Sequence, residues 1–249
     1  PQDGRFRFTL DRGSIDLRVS IMPSVFGEDA VLRLLDKAQL RSRDTAVTLD
    51  LLGFDRSSAA RIRELAELPH GMLLVTGPTG SGKTTTVYAV LSEINTGMEK
   101  IITIEDPVEY ELPGVLQIPV NERKGLTFAK GLRSILRHDP DRILVGEIRD
   151  AETAEIAVQS ALTGHQVLTT VHANSVFDVT GRFRHFGLDM FGFMASLNGV
   201  IVQRLVRRLC ACAQQRKATE RERQWLSRMG AESLQVSHPA GCKICRGTG

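Results

Sequence analysis

The run Gly77-Pro78-Thr79-Gly80-Ser81-Gly82-Lys83-Thr84 fits the spacing G-x-x-x-x-G-K-[ST]. These residue types in this order suit one task, holding the phosphates of a nucleotide. Glycines let successive backbone N–H groups turn inward on phosphate oxygens. A helix opening directly behind the loop adds partial positive charge at its N-terminus. Lys83 is expected to reach the β- and γ-phosphates of ATP and the Thr84 hydroxyl to ligate Mg²⁺, with Thr85 completing the binding stretch. The plain alternative is a glycine-rich turn before a helix. Against it stand the apolar strand from Met72 to Thr76 before the loop and the helical pattern after it.

Three further runs end in residues able to act on a bound nucleotide. One ends at Glu105-Asp106-Pro107, one at Glu147 and one at His172. Ligands of parallel α/β sheets gather at the carboxyl ends of the strands, so these residues should share an edge with the phosphate loop. Glu147 is the first candidate for orienting or activating the attacking water, and also for holding Mg²⁺ through water; Glu105 is the second. Phosphoryl transfer rests on positioning and charge stabilisation, so these carboxylates need geometry more than unusual pKa values. The plain alternative for Glu105 is a solvated strand end. Asp139 and Asp141 would lie at the far end of the Glu147 strand, roughly 20 Å away, and take no catalytic role. His172 has two open readings, a sensor of the γ-phosphate or a structural hydrogen-bonding group. His165, at the start of its strand, reads as structural.

The elements that must position these groups follow from periodicity. From Gly71 onward, β-rich runs alternate with helical ones, predicting strands over 71–76, 100–106, 142–147, 166–172 and 204–209. Helices are predicted over 83–95, 127–137, 150–162 and 188–203, with one more before them at 56–68. Asp55 and Asp150 are candidate N-caps, and Gly164 follows the third helix. Thr219 and Glu222 form a capping-box pattern for a helix near 220–229. Alternating strands and helices imply a parallel sheet covered on both faces. The first 36 residues instead alternate with period 2: Phe6, Phe8, Leu10, then Ile15, Leu17, Val19, Ile21, then Ala30, Leu32, Leu34. This predicts a half-buried antiparallel meander turning at Asp11, Arg12 and Gly13. Three strands are few for a free-standing sheet, and the chain opens at Pro1, so an upstream part of this small domain is expected. The expected domains are residues 1–37, a polar linker over 38–50, an α/β core over 51–209 and a cysteine-bearing subdomain over 210–249.

Composition narrows the function classes. The 249 residues are 42% hydrophobic and 24% charged, ordinary for a globular protein and unlike a disordered or collagen-like chain. No apolar run approaches the ~18 residues needed to span a bilayer. Net charge is +3, from 32 Lys and Arg against 29 Asp and Glu, and aromatics are 5%, which leaves little with which to bind or stack nucleic acid. Four cysteines in such a chain are expected as thiols or metal ligands in a reducing compartment. Cys210, Cys212, Cys242 and Cys245 form two pairs, a set suited to a closed, structural Zn²⁺ site with no open position for catalysis; free thiols are the alternative.

With these residues in view, the chain resembles the type II secretion and type IV pilus assembly ATPases, the GspE/PilB family of secretion NTPases. The family's phosphate loop resembles Gly77 to Thr84, its acidic box Ile104-Glu-Asp-Pro-Val-Glu109, and its Walker B, with Gly-Glu in place of Asp-Glu, Leu144-Val-Gly-Glu147-Ile-Arg-Asp150. Its histidine box resembles Thr163 to Asn174, and Gly131 to Asp141 also matches. The resemblance implies a RecA-like P-loop ATPase core, preceded by part of a small PAS-like α+β domain and followed by a tetracysteine module. In the family that module has two C-x-x-C pairs; here the first is C-x-C, which narrows its bite on one metal. Arg18 and Arg33 match arginines that approach the nucleotide across the domain cleft and could stabilise transition-state charge, ordinary solvated arginines being the alternative. The resemblance further implies a hexameric ring in the cytoplasm at the inner membrane. That ring would drive an inner-membrane platform and cytoplasmic-domain proteins to add subunits to a pseudopilus or pilus. More sequence is expected after Gly249.

Three other classes remain to be weighed. A pilus-retraction motor shares the core motifs but lacks the tetracysteine module. A RecA-like nucleic-acid motor would need a basic stripe; Arg204, Arg207 and Arg208 are the best candidates, and are read instead as a subunit or anionic-lipid contact. A non-catalytic nucleotide-binding scaffold is disfavoured by intact Lys83, Thr84 and Glu147.

Overall fold

The computed structural model describes residues 2–10, 13–36, 47–231 and 235–249. Contacts divide the chain into two units, Pro1–Arg204 and Leu205–Gly249.

Short, nearly continuous apolar runs build the main sheet of the first unit. Its strands are β4 (Gly71–Thr76), β5 (Ile101–Glu105), β6 (Leu116–Pro119), β7 (Arg142–Val145), β8 (Gln166–Val171) and β9 (Leu197–Val202). They lie in the order β6-β5-β7-β8-β4-β9, every pair parallel. Met72, Leu74, Ile102, Ile104, Ile143, Val145 and Val167 pack on one face, against α3 (Phe128–Ile135), α4 (Ala151–Leu162), α5 (Val176–His185) and α6 (Met190–Ser196). Leu73, Val75, Ile101, Leu144 and Leu168 pack on the other, against α1 (Arg56–Ala66) and α2 (Lys83–Ile94). Adjacent residues of one strand thus serve different cores, as a sheet covered on both faces requires. Each fully buried aliphatic side chain contributes about 1.5–3 kcal/mol.

The helix starts follow their predicted caps. Asp55 accepts from Ser58 N, and Asp150 accepts from Thr153 N. Gly164, with φ 113°, follows the end of α4.

Three expectations are corrected, and one strand is added. The run 188–203 is not one helix: α6 stops at Ser196, and Leu197–Val202 becomes the strand outside β4. Gly199 and the β-branched Val200, Ile201 and Val202 disfavour a helix there and suit a strand. The run 204–209 is irregular and not a strand, with Leu205 and Val206 exposed. The edge strand β6 was not foreseen, because Pro113, Gly114 and Pro119 punctuate its sequence. Residues 38–46 of the expected linker lie outside the described residues, but Leu49 near its end is fully buried in the α1–α2 core.

The N-terminal strands β1 (Gln2–Leu10), β2 (Gly13–Ser24) and β3 (Gly27–Asp36) form the expected antiparallel meander. Residues 11 and 12 of the expected turn lie outside the described residues. Half-burial is met on the central strand, where Ile15, Leu17, Val19 and Ile21 are half-buried, and not on the outer two, where Phe6 is 48% and Leu34 66% exposed.

The second unit pairs β10 (Gln214–Lys217) antiparallel with β11 (Gln235–His238) and carries α7 (Glu220–Arg228) between them. Thr219 and Glu222 close the predicted capping box. Glu222 also accepts two bonds from Arg216, at 2.7 and 2.6 Å, which draws its carboxyl down to about 2.

Candidate functional site

The phosphate loop runs from the end of β4 into α2. Gly77 has φ 153°, and a Cβ there would lie 2.3 Å from Gln203 O and 2.6 Å from Ser81 Oγ, so only glycine fits. Gly80 and Gly82 are left-handed, and Gly82 is the N-cap of α2. Pro78, Thr79, Gly80 and Thr84 are exposed, and Thr85 is half-buried in the first turn of α2. The Lys83 ammonium donates to Gly77 O at 3.0 Å and Pro78 O at 3.2 Å. Burial lowers the Lys83 pKa, and the Glu147 carboxylate opposes that shift.

Hydroxyl bonds hold the neighbouring strand ends in place. Thr76 Oγ1 shares its single proton between Val171 O and Ala173 O and accepts from Ala173 N, fixing the end of β8, and with it His172, beside the loop. Thr170 Oγ1 donates to Gly146 O at 2.7 Å, and Ile148 N donates to Thr170 O at 3.0 Å, fixing the turn that carries Glu147. Gly146 N donates to Ile104 O at 2.8 Å. A Cβ at Gly146 would lie 3.2 Å from Ile104 O and 3.3 Å from Glu105 Cα. This close passage of β7 and β5 accounts for glycine where an aspartate is usual.

Lys83, Glu147 and His172 are thereby brought to one sheet edge. Glu147 Oε2 lies 3.6 Å from His172 Nε2, and its other oxygen accepts from Arg149. Glu147 raises the Arg149 pKa, chiefly through that hydrogen bond. Burial, then the charge of Lys83, lowers the His172 pKa from its ordinary 6.5, with Glu147 opposing. A cation held in the loop, a carboxylate two strands away and a neutral imidazole between them can bind phosphates and orient water.

Glu105 is not a solvated strand end. It is buried and accepts from Tyr88 Oη on α2, from Thr103 Oγ1 and from Gln117 Nε2. Burial, then Glu105, pushes the Tyr88 hydroxyl well above the usual range, so it remains a donor. Arg18 and Arg33 face one another in the β2–β3 register and line a cavity of about 690 Å³ with Asn121, Glu122 and Arg123. No phosphate-loop residue lines it. His165 Nδ1 lies 3.1 Å from Ser160 O, a structural contact.

Tyr88, Gln117, Arg149 and Gln203 were not singled out. Arg149 lies within the quoted Walker B stretch, two residues after Glu147, which was the available signal. Tyr88 sits one helical turn after Thr84, a position that faces the sheet.

In the second unit the four cysteines converge, all Sγ atoms within 4.8 Å of one another. Three separations are 3.9, 3.8 and 3.7 Å. Four sulfurs about 2.3 Å from one tetrahedral metal would be about 3.8 Å apart, so the set fits zinc. Hydrogen bonds from the backbone N–H groups of Cys242 and Gly249 draw the Cys245 thiol down to about 6.

A family model described as "Type II/IV secretion system protein" matches residues 1–249. The chain belongs to this family. The type II secretion system protein E of Aeromonas hydrophila is 50% identical over 250 residues, covering 100% of this chain and 49% of that protein. The type II secretion system ATPase E of Vibrio cholerae is 46% identical over 250 residues, covering 100% and 49%. The chain spans about half the length of these relatives. Among solved structures, the pilus retraction motor PilT with bound ADP aligns at a TM-score of 0.64 and 29% identity, over 93% of this chain and 71% of that one. The Legionella pneumophila ATPase DotB aligns at 0.63 and 26%, over 79% and 56%. This member of the secretion family thus shares its α/β core with P-loop ATPases. No helix among its described residues is long and apolar enough to cross a membrane.

Proposed function

We propose that the protein is a P-loop ATPase whose hydrolysis of ATP drives pseudopilus assembly in type II secretion. The observation that carries this reading is the placement of Lys83 in a strand–loop–helix phosphate site, with Glu147 and His172 at the same sheet edge. Thr84 and Glu147 would hold Mg²⁺, which when bound neutralises phosphate charge. Lys83 leaves the carbonyls of Gly77 and Pro78 and pairs with the β- and γ-phosphates. Glu147 orients a water in line with the γ-phosphorus and takes its proton as the new P–O bond forms and the bond to the bridging β–γ oxygen breaks. Buried Glu105 braces that edge, and neutral His172 faces the γ-phosphate. Arg18 and Arg33 add positive charge from outside the loop on closure of the meander toward it.

The names of the relatives favour type II secretion, and the four-cysteine set favours an assembly motor over a retraction motor. The same reading makes the working form a six-membered cytoplasmic ring on an inner-membrane platform, with anionic lipid as a further contact. Cys210, Cys212, Cys242 and Cys245 hold a structural Zn²⁺. The test is ATP turnover against protein concentration, with Lys83→Ala as control. Turnover that rises with assembly and is lost in Lys83→Ala supports the reading; equal turnover in both removes the phosphate-loop argument.

A further inference from the structure

Gln203 follows the end of β9 and belongs to none of the motifs discussed above. Its backbone N donates to Thr76 O at 2.8 Å, continuing the ladder to the last residue before the phosphate loop. Its carbonyl oxygen fills the space that a side chain at Gly77 would need. Its side chain spans the loop: Nε2 donates to Ser81 O at 2.7 Å, and Oε1 accepts from Thr86 Oγ1 at 2.7 Å. One residue thus touches the loop's entry, its last turn and the first turn of α2.

A phosphate cradle works only if its N–H groups face inward, so its carbonyls must be satisfied elsewhere. The peptide unit is planar and trans, so the Ser81 C=O and the Gly82 N–H point in opposite directions. Holding the Ser81 oxygen outward therefore fixes where the Gly82 N–H points. Ser81 is 3% exposed, so water is poorly placed to replace the Gln203 amide. Thr86 Oγ1 holds the other end of that amide; since a hydroxyl can donate or accept, it is the acceptor-only Ser81 carbonyl that sets the orientation presenting Nε2 to Ser81.

We propose that Gln203 is a positioning residue for the nucleotide site, an outer clamp that keeps the Ser81–Gly82 peptide turned so that its N–H faces the phosphates. Its effect on nucleotide rests on the ATPase reading above; its hold on the loop does not.

Gln203→Leu keeps the bulk and removes both side-chain bonds. In the nucleotide-free full chain, amides over 80–86 should exchange hydrogen faster in this variant, while those of β4 and β8 keep their protection and so report an intact fold. Affinity for a fluorescent ADP should fall about tenfold to hundredfold, the scale of one buried hydrogen-bond partner lost. KM for ATP should rise by a similar factor with kcat within about threefold, since the clamp acts on binding. Thr86→Val leaves the Ser81 bond in place and should weaken ADP by less than about threefold. Unchanged exchange over 80–86 in Gln203→Leu overturns the clamp, as does wild-type ADP affinity in that variant. Faster exchange in a protein whose wild type binds no ADP would leave the clamp standing and sink the ATPase reading instead.

Discussion

His172 Nε2 sits 3.6 Å from Glu147 Oε2, within reach of an ion pair were the imidazole to charge. Charging is opposed by burial and by Lys83, so at pH 7 Glu147 faces a neutral ring. Its Oε1 pairs with Arg149, while Oε2 faces the imidazole.

This arrangement predicts a pH profile. The folded pKa of His172 lies below 6.5, so in the window beneath 6.5 the unfolded chain binds more protons than the folded one. The contribution to stability is complete above 6.5 and is lost as pH falls through the folded pKa. Turnover should be level near pH 7 and fall on the acid side, as protonated His172 pairs with Glu147. His172→Gln, which cannot titrate, should lose that acid limb when kcat is measured from pH 5 to 8. An identical limb in the variant would assign it to another group.

Tyr88 and Glu105 yield a stability prediction. Tyr88→Phe removes one of three donors to a buried carboxylate and should cost about 1–3 kcal/mol. That corresponds to a fall in Tm of about 2–4 °C per kcal/mol for a chain of this size. Adding Gln117→Leu should be non-additive, because both donors serve Glu105. A Tyr88→Phe melting curve superimposable on the wild type would show that the network holds nothing.

The cysteine cluster predicts one zinc per chain by elemental analysis. Trp225, the chain's single tryptophan, sits on α7 in the same unit and reports on it. Chelation, or Cys245→Ser, should remove the metal and change Trp225 emission. Affinity falls with pH as thiolates protonate, because the metal binds the deprotonated sulfur. Full-length protein purified without metal and with unaltered Trp225 emission would favour free thiols.

How much was legible depends on the distance over which each feature is encoded. The phosphate loop is local, eight residues with their own strand and helix, and the sequence shows it whole. Caps at Asp55, Asp150 and Thr219 are local in the same way. Glu147 and His172 were found through a rule about strand ends, which needs the fold class and no contacts. Burial of Glu105 was hidden, since its donors Tyr88 and Gln117 lie 17 and 12 residues away and meet it only across α2 and β6. Gln203 is 122 residues from Ser81 and carries no local mark of its role. The helix expected over 188–203 failed because apolar spacing alone did not reveal that β4 had an open edge for Leu197–Val202.

The most direct test of the central claim is single-turnover ATP hydrolysis by Glu147→Gln, with ATP affinity measured on the same sample. Glutamine preserves the shape and removes the proton acceptor. The account predicts affinity within a few-fold of wild type and hydrolysis about 10²–10⁴-fold slower. Hydrolysis at the wild-type rate with ATP bound would contradict it.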